Sequence, residues 1–339
     1  MFLKAQQFCM LKIVDEKLSG FLFVVILPFL LFFMSYYGFE SSYAKLKSME
    51  EPPDFMFSSV YAYRVIPNFL MMEVFAFVNF VVDNYLFSLK SFLLKNGTLF
   101  YHSIFLINAI FFVASSLVLN KILNFNSEFS NKKLRRIFHL LAVFFIVIVQ
   151  YVPTNCDLIS IFFYVTGAWL TLKYYHHRKN IDFLLLCLTI LTSTFVRETS
   201  CLNIAFFAAI FFDFKNFKNT FYWKEIFFLI ISFVLPYFLL KMMIPQSASF
   251  FEGIYFVKNF TSLYNLSGFL FGFLAFYFVF QLGNKEQQGI LKKYLFFSLP
   301  YLGMITLVGL FWESRLFLPH ILSGFVVVSH QFKNIQQHK

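Results

Sequence analysis

The sequence is poor in charged residues, in cysteine and in glycine. Only 13% of the 339 residues are charged, about half the share found in soluble domains, which excludes a soluble globular domain. The four cysteines have no paired spacing, which excludes a disulfide framework and a Cys-x-x-Cys metal or redox site. The 12 glycines form no G-x-G-x-x-G motif, so we expect no nucleotide-binding loop.

Apolar residues are abundant instead. Hydrophobic residues make up 59% of the chain, and 56 of them are phenylalanine. At about 20 residues per membrane-crossing helix, this composition predicts an all-α fold, a polytopic transmembrane helical bundle of about ten spans. We expect one integral membrane domain over residues 1–339. The spans are expected at Gly20–Gly38, Leu99–Leu119, Ile137–Tyr151, Leu158–Leu172, Phe183–Val196, Thr199–Phe212, Ile226–Ile244, Leu263–Gln281, Tyr294–Phe311 and Leu316–Ser329.

The distribution of lysine and arginine orients the bundle. With the N-terminus inside, 19 of the 28 basic residues fall on the cytoplasmic side, and both termini are predicted to be cytoplasmic. The lipid bilayer is therefore the expected partner. Because the basic residues lie in short clusters between the spans, we expect no nucleic-acid partner.

The longest external segment, residues 39–98, contains an apolar stretch of its own. Residues Ile66–Lys95 include Glu73, Asp83 and Asn84. Helical spacing places the apolar residues of this stretch on one stripe and most polar residues on another face. The pattern favours an amphipathic helix in the outer membrane interface over an eleventh span.

Three of the six arginines are not explained by the charge bias. Arg64, Arg197 and Arg315 all map to the external edge of the membrane. Each is an interfacial anchor, a member of an internal ion pair or a ligand for an anion. Glu198 directly follows Arg197, and Glu313 lies two residues before Arg315, and such neighbours do not face each other on a helix. We therefore expect their partners to come from other segments or from a ligand.

Several carboxylates are expected at the same external edge. Glu40 follows the first span, Glu51 and Asp54 lie in the first loop, and Asp157 opens the fourth span. Guanidinium groups bind phosphate oxygens, and a carboxylate can act as general base towards an acceptor hydroxyl. These residue types suit a substrate with a lipid tail and a phosphate head, although any protein that handles lipid phosphates would satisfy them.

An ordered set of short motifs resembles the GT-C class of polytopic glycosyltransferases. The set comprises Tyr63-Arg64 to Pro67, Asn155 with Asp157, Arg197-Glu198-Thr199, and Glu313 to Pro319. The resemblance implies a bacterial cytoplasmic membrane protein whose sugar donor is a polyprenyl phosphate, with a divalent metal in some members. It implies that the donor phosphate is bound by Arg64, Arg197 and Arg315, with supporting roles for Tyr63, Asp157, Glu198 and Glu313.

The resemblance leaves the catalytic acid open. Glu40 occupies the place of the acid that follows the first span in the class. The chain lacks the adjacent Asp-Asp pair that parts of the class carry in the first loop. The catalytic acid is therefore predicted to be Glu40, Glu51 or Asp54.

Other functions remain alternatives. A lipid-linked saccharide transporter or flippase should have broken or charged helices near the middle of the membrane. A polysaccharide polymerase should carry its arginines in one large late external loop, whereas here the longest external loop is the first. A non-catalytic membrane protein is the third alternative. The seven histidines show no spacing typical of a metal site, so the residues themselves predict no metal.

Overall fold

The computed structural model describes residues 20–38, 47–58, 60–149, 154–212, 214, 221–244 and 253–332. Within these ranges the chain is helical, and the only β-pairing is an isolated antiparallel bridge between Ser127 and His330. The all-α fold expected from the composition is confirmed. Buried apolar residues from Phe32 to Val328 form one contiguous core.

The helices follow one another with short connections. In the described residues they are α1 (Leu22–Gly38, beginning with a π-helical turn at Leu22–Ile26), α2 (Phe55–Ser58), α3 (Val65–Asn84), α4 (Lys90–Lys95), α5 (Leu99–Asn124), α6 (Lys132–Val149), α7 (Asp157–His177), α8 (Asn180–Thr194), α9 (Cys201–Phe211), α10 (Phe221–Met243), α11 (Phe256–Thr261), α12 (Leu263–Leu282), α13 (Lys285–Phe297), α14 (Leu299–Val308) and α15 (Leu318–Val328). Short 3₁₀ helices lie at Val60–Tyr63, Phe87–Leu89, Glu198–Ser200 and Ser314–Leu316.

Helix α7 lies at the centre of the bundle. It packs against α5, α8 and α9 and also contacts α15, and 14 of its 21 residues are buried. Gly167 lets α9 approach closely, because a Cβ at this position would overlap the side-chain amide of Asn203. The packing on several sides holds the first residue of α7, Asp157, in a defined position at one end of the core.

The number of spans has to be corrected. By length and composition, four described helices can cross a membrane: α3, α5, α10 and α12. The bent pair α13 and α14 makes a fifth if it counts as one span. The described residues therefore supply four or five candidate spans instead of about ten.

Three of the other apolar runs fold as helices that are too short, and a fourth forms a helix with a charged first turn. Helix α8 has 15 residues, and α9 and α15 have 11 each. At 1.5 Å per residue they extend over about 16 to 23 Å, less than the roughly 30 Å of a bilayer core. Helix α6 has 18 residues but begins with four basic side chains among its first five residues. Apolar character alone therefore overestimated the spans.

The apolar stretch predicted as one interfacial helix over Ile66–Lys95 is broken. Helix α3 ends at Asn84, and α4 covers only Lys90–Lys95. Helix α3 packs against the N-terminal part of α5, where the ring of Phe75 lies 5.6 Å from the ring of Phe100. Its length and composition also suit a span, so the interfacial position stays a prediction.

The predicted span Tyr294–Phe311 is bent by 51° between α13 and α14. Pro300 lies in the first turn of α14, where its missing N–H needs no helical partner. Ser298, at the bend, lies with its Oγ 3.1 Å from Nε2 of His320 in α15. Tyr301 donates a hydrogen bond of 3.2 Å to the carbonyl of Leu316. The bend is therefore tied to α15 and to the turn before it.

Candidate functional site around Asp157

Asp157 receives hydrogen bonds from two arginines that are distant in the sequence. Nη1 of Arg315 lies 2.6 Å from one carboxylate oxygen, and Nη1 of Arg197 donates to the other. The hydroxyl of Thr154 also donates to Asp157. Asp157 is 2% exposed and Arg315 is 6% exposed, so this is a buried ion-pair network. We call Asp157 with Glu313, Arg64, Arg197 and Arg315 the arginine cluster.

Arg315 pairs with a second carboxylate, that of Glu313. Its Nη2 and Nε lie 2.8 and 3.2 Å from the same Glu313 oxygen. The expectation that these two neighbours would not pair is therefore wrong. It assumed an α-helix, whereas Ser314–Leu316 is a 3₁₀ helix that begins after Glu313, and residues two apart can meet around such a turn.

Arg197 reaches the cluster from the turn between α8 and α9. Its backbone is extended, with φ −167° and ψ 151°, and its N–H donates to the carbonyl of Ser193. The side chain is 11% exposed. Its neighbour Glu198 is partly buried and begins the following 3₁₀ helix. In the described residues Glu198 forms no ion pair with an arginine.

Arg64 joins the cluster from the N-terminal end of α3, and its environment differs from that of the other two arginines. Its Nη1 lies 3.0 Å from Sγ of Cys156, and its guanidinium carbon lies 4.1 Å from the ring centre of Tyr61. Within the part of the chain that the structure describes, its buried Nε has no hydrogen-bond partner. Among the described residues no carboxylate lies within ion-pair distance of Arg64.

The charges of the cluster determine the protonation of Asp157. Burial alone would raise the pKa of its carboxyl, but the guanidinium groups of Arg315 and Arg197 and the Thr154 hydrogen bond outweigh burial. They hold the pKa well below its usual range. Burial by itself would lower the pKa of both guanidinium groups, but the Asp157 carboxylate stabilises their charged forms and the pKa of each is raised. Asp157 is therefore an anion at neutral pH.

The segment predicted to be the first external loop is tied to the cluster through two asparagines. Nδ2 of Asn155 lies 2.9 Å from Oδ1 of Asn68, and Nδ2 of Asn68 donates to the carbonyls of Met56 (2.9 Å) and Tyr61 (3.1 Å). Both asparagines are buried. The short helix α2, which follows Asp54, is therefore held beside the loop that precedes α7.

The predicted catalytic acids lie in or before this loop. Glu51 and Asp54 are exposed, just ahead of the segment that Asn68 holds. Glu40 lies outside the described residues. Tyr63 is partly buried in the 3₁₀ helix before Arg64, but the ring under the Arg64 guanidinium is that of Tyr61. The roles assigned to these residues stay predictions.

A divalent metal was implied for some members of the class, and the described residues do not fit one. Among them no group of three or more His, Cys, Asp or Glu side chains is arranged to hold a metal ion. Both carboxylate oxygens of Asp157 are already occupied by arginines. We therefore derive no step through a metal.

Four residues of the site escaped the sequence reasoning: Tyr61, Thr154, Asn68 and Cys156. Asn68 and Thr154 are polar residues beside apolar runs, which is a weak signal that could have drawn attention to them. Gly268 and Gly272 of α12 also escaped the sequence reasoning, although their G-x-x-x-G spacing is a stronger signal and indicates a close helix contact. A Cβ at Gly268 would lie 2.6 Å from Cα of Trp312, directly before Glu313.

Comparison of the chain with protein-family models, with curated proteins and with solved structures found no match. The resemblance to the GT-C class therefore rests on the sequence motifs and stays a prediction.

Proposed function

We propose that the chain is a membrane glycosyltransferase that moves a sugar from a polyprenyl-phosphate donor to an acceptor on the external face. The observation that carries this proposal is the convergence of three arginines, from three separate segments, at the start of α7. Charged groups inside an apolar bundle are costly, so their accumulation at one point marks a functional site. Guanidinium groups are well suited to bind phosphate oxygens.

In the proposed reaction the bond between the anomeric carbon of the sugar and the phosphate oxygen breaks. The acceptor oxygen bonds to that carbon, and the electron pair of the broken bond stays on the phosphate, whose charge the guanidinium groups stabilise. Glu40, Glu51 or Asp54 takes the proton of the acceptor hydroxyl. Asp157 is not this base, because two arginines occupy its oxygens and its pKa is far below the usual range.

We further propose that the arginine cluster faces the outside of a bacterial cytoplasmic membrane, with α3 in the outer interface and both termini in the cytoplasm. Two contacts support this orientation. Ser116 donates to the carbonyl of Val24 at 2.6 Å, and Nδ1 of His330 lies 3.0 Å from the carbonyl of Phe125. The described residues near both termini thus adjoin the C-terminal half of α5. The cluster adjoins the other half, where Asn108 donates to the loop before α7.

Donor consumption tests the proposal. Membrane vesicles containing the chain would be incubated with polyprenyl-phosphate donors that carry radiolabelled hexoses, and the loss of label from the lipid phase would be measured. We expect consumption of one donor, and its loss in one of the variants Glu40→Gln, Glu51→Gln or Asp54→Asn. Glu50→Gln is the matched control, because Glu50 is an exposed acid of the same loop. Consumption no greater than in vesicles without the chain would contradict the proposal.

A lipid-linked saccharide transporter is the second candidate, and the bend between α13 and α14 favours it. Broken helices commonly line the substrate sites of transporters. Here the broken helix carries Tyr301, which bonds to Leu316 next to Arg315. A transporter would move labelled lipid across the vesicle membrane without breaking the bond between sugar and phosphate. Chromatography of the recovered lipid separates the two candidates.

A further inference from the structure

We propose that the basic first turn of α6 binds the headgroup of an anionic phospholipid, whose acyl chain lies along an exposed apolar stripe of the same helix. Lys133 and Arg136 hold the headgroup phosphate. This site is separate from the arginine cluster, because the start of α6 lies beside the start of α1 and the cluster adjoins the other half of α5. The inference requires that α6 lies in a bilayer and does not depend on the proposed transfer reaction.

The first turn of α6 concentrates positive charge where a helix disfavours it. No acid lies in this turn, and four of the first five side chains of the helix are basic: Lys132, Lys133, Arg135 and Arg136. Cations at the N-terminal end of a helix are unfavourable, because the helix dipole is positive there. The charge bias of membrane proteins explains the side on which these residues lie, but it does not require that they crowd into one turn. A bound anion would offset both the dipole and the mutual repulsion.

The nearest carboxylates do not compensate this turn. Among the described residues, none lies within ion-pair distance of Lys133, Arg135 or Arg136. The nearest acid in the sequence is Glu128, four residues before the helix. A single carboxylate can offset one of the four charges, so an excess of about three cations remains for a ligand.

Acids in α13 and at the termini do not change this balance. Glu286 of α13 interacts with the charges of Glu128 and Lys293. The terminal segments outside the described residues contain two acids, Asp15 and Glu16, against five lysines. The termini therefore add positive charge to this side of the molecule.

An exposed apolar stripe continues from the basic turn. The large apolar side chains that α6 exposes are Leu134, Ile137, Phe144 and Ile148. Their spacing of three, seven and four positions places them on one face of the helix. From Leu134 to Ile148 the stripe extends over about 21 Å, more than half of the roughly 30 Å hydrocarbon core of a bilayer. An acyl chain can cover such a stripe, whereas a free phosphate ion would leave it uncovered.

The basic residues differ in their position around α6. At 100° per residue, Lys133 lies beside the stripe. Arg136 lies towards α1, where its guanidinium carbon is 5.5 Å from the ring centre of Phe23. Arg135 lies on the face of the helix that carries the buried Phe138, and its Nε is buried as well. Lys133 and Arg136 are therefore the cations that a headgroup at the end of the stripe can reach.

Thermal unfolding with added lipids tests the inference. The purified full chain in dodecyl maltoside micelles would be unfolded with dioleoyl phosphatidylglycerol, which is anionic, or with dioleoyl phosphatidylcholine, which has the same acyl chains and no net charge. Glycerol phosphate supplies the phosphate without an acyl chain. A ligand that binds only the folded state stabilises it, so we expect phosphatidylglycerol to raise the midpoint by roughly 5 °C and the other two additives by less than about 1 °C.

Two double variants locate the site. Lys133→Gln with Arg136→Gln should lose most of the rise that phosphatidylglycerol produces. Arg178→Gln with Lys179→Gln is the matched control, because it removes the same charge from two exposed side chains after α7, and it should keep the rise. Gel filtration would show that each variant is folded. If the first double variant does not fold, Lys133→Gln alone replaces it, since Lys133 is exposed.

Four results would overturn the inference. An equal rise with phosphatidylcholine would show a general effect of lipid, and a full rise with glycerol phosphate would show a site for soluble phosphate. An undiminished rise in the folded α6 variant would place the lipid elsewhere, and an equal loss in the control would show unspecific attraction between charges. None of these results changes the consumption of labelled donor, so the glycosyltransferase proposal is tested separately.

Discussion

Asp157 is the residue on which the arrangement of the cluster depends. It accepts hydrogen bonds from Arg197, Arg315 and Thr154 while it is 2% exposed. Removing one partner from a buried ion pair is far more costly than removing both, because the remaining charge stays buried without compensation. Asp157 therefore stabilises the fold by compensating the charges of two buried arginines, whether or not a substrate is bound.

We predict that Asp157→Asn lowers the free energy of unfolding by about 3 to 5 kcal/mol, because two buried guanidinium groups lose their shared anion. Thermal and denaturant unfolding in detergent micelles would measure it. Asp83→Asn is the matched control. Asp83 pairs with Lys90 at 2.7 Å, but Asp83 is exposed and Lys90 is only partly buried, and a solvent-accessible pair of this kind contributes only about 0 to 1 kcal/mol.

The pH dependence of this effect has a defined sign. The pKa of the Asp157 carboxyl is lowered in the folded state, so its contribution is complete well above the unfolded pKa of about 3.9 and is lost as the pH falls through the folded-state value. The difference between wild type and Asp157→Asn should therefore stay constant from pH 7 to pH 5 and shrink in stronger acid. A difference that disappears between pH 7 and pH 5, or equal losses in Asp157→Asn and Asp83→Asn, would contradict this role.

At the scale of elements, helix α12 sets the position of the turn that carries Glu313 and Arg315. Its two glycines lie one helical turn apart against this segment. A Cβ at Gly268 would lie 2.6 Å from Cα of Trp312, and a Cβ at Gly272 would lie 2.7 Å from Cδ2 of Phe317. Backbone atoms cannot rotate away as a flexible side chain can, so the helix approaches this turn only because position 268 has no side chain.

We therefore predict that Gly268→Ala lowers the free energy of unfolding by about 1 to 3 kcal/mol, because the added methyl group forces helix and turn apart. Gly303→Ala in α14 is the control. A Cβ at Gly303 meets nothing within 4 Å among the described residues, and such a change in a helix is neutral or stabilises by up to about 1 kcal/mol. Unfolding of the two variants in the same detergent would compare them, and equal stability of both would refute the close contact.

At the scale of the whole molecule, helix α7 connects two chemically different ends. One end carries the arginine cluster at Asp157. At the other end, Nε2 of His176 lies 2.6 Å from Nε2 of His330, and Arg178 follows the helix. The charge bias of the sequence places Arg178 and the basic residues at the start of α6 in cytoplasmic loops. In the proposed topology the cluster faces the outside, and α7, with 21 residues and a length of about 32 Å, is long enough to place its other end at the cytoplasmic side.

We predict that a membrane-impermeant thiol reagent labels Pro53→Cys in intact cells and does not label Asn180→Cys. Position 53 lies in the first loop beside the cluster, and Asn180 begins α8 near the opposite end of α7. The wild-type chain, with its native cysteines, supplies the background, and permeabilised cells supply the full signal at position 180. Labelling of Asn180→Cys in intact cells would reverse or abolish the predicted topology.

The all-α character and the arginines of interest follow from the amino-acid sequence alone. An apolar chain can satisfy its backbone hydrogen bonds in a bilayer only within helices or closed barrels, and the long apolar runs select helices. Arg64, Arg197 and Arg315 stood out because charge is rare in such a chain. These inferences depend on composition and local spacing, which tertiary contacts do not change.

The ends of the helices and the pairing of the charges depend on contacts between distant segments. The apolar runs around Arg197 and Arg315 are interrupted by 3₁₀ turns. Hydropathy averaged along the sequence does not detect these turns and therefore overestimates the number of spans. Arg315 pairs with Asp157 across 158 positions of the chain, and no local pattern encodes such a contact. The contrast between Arg64 and the other two arginines likewise follows from the neighbours that packing supplies, because isolated arginines are chemically identical.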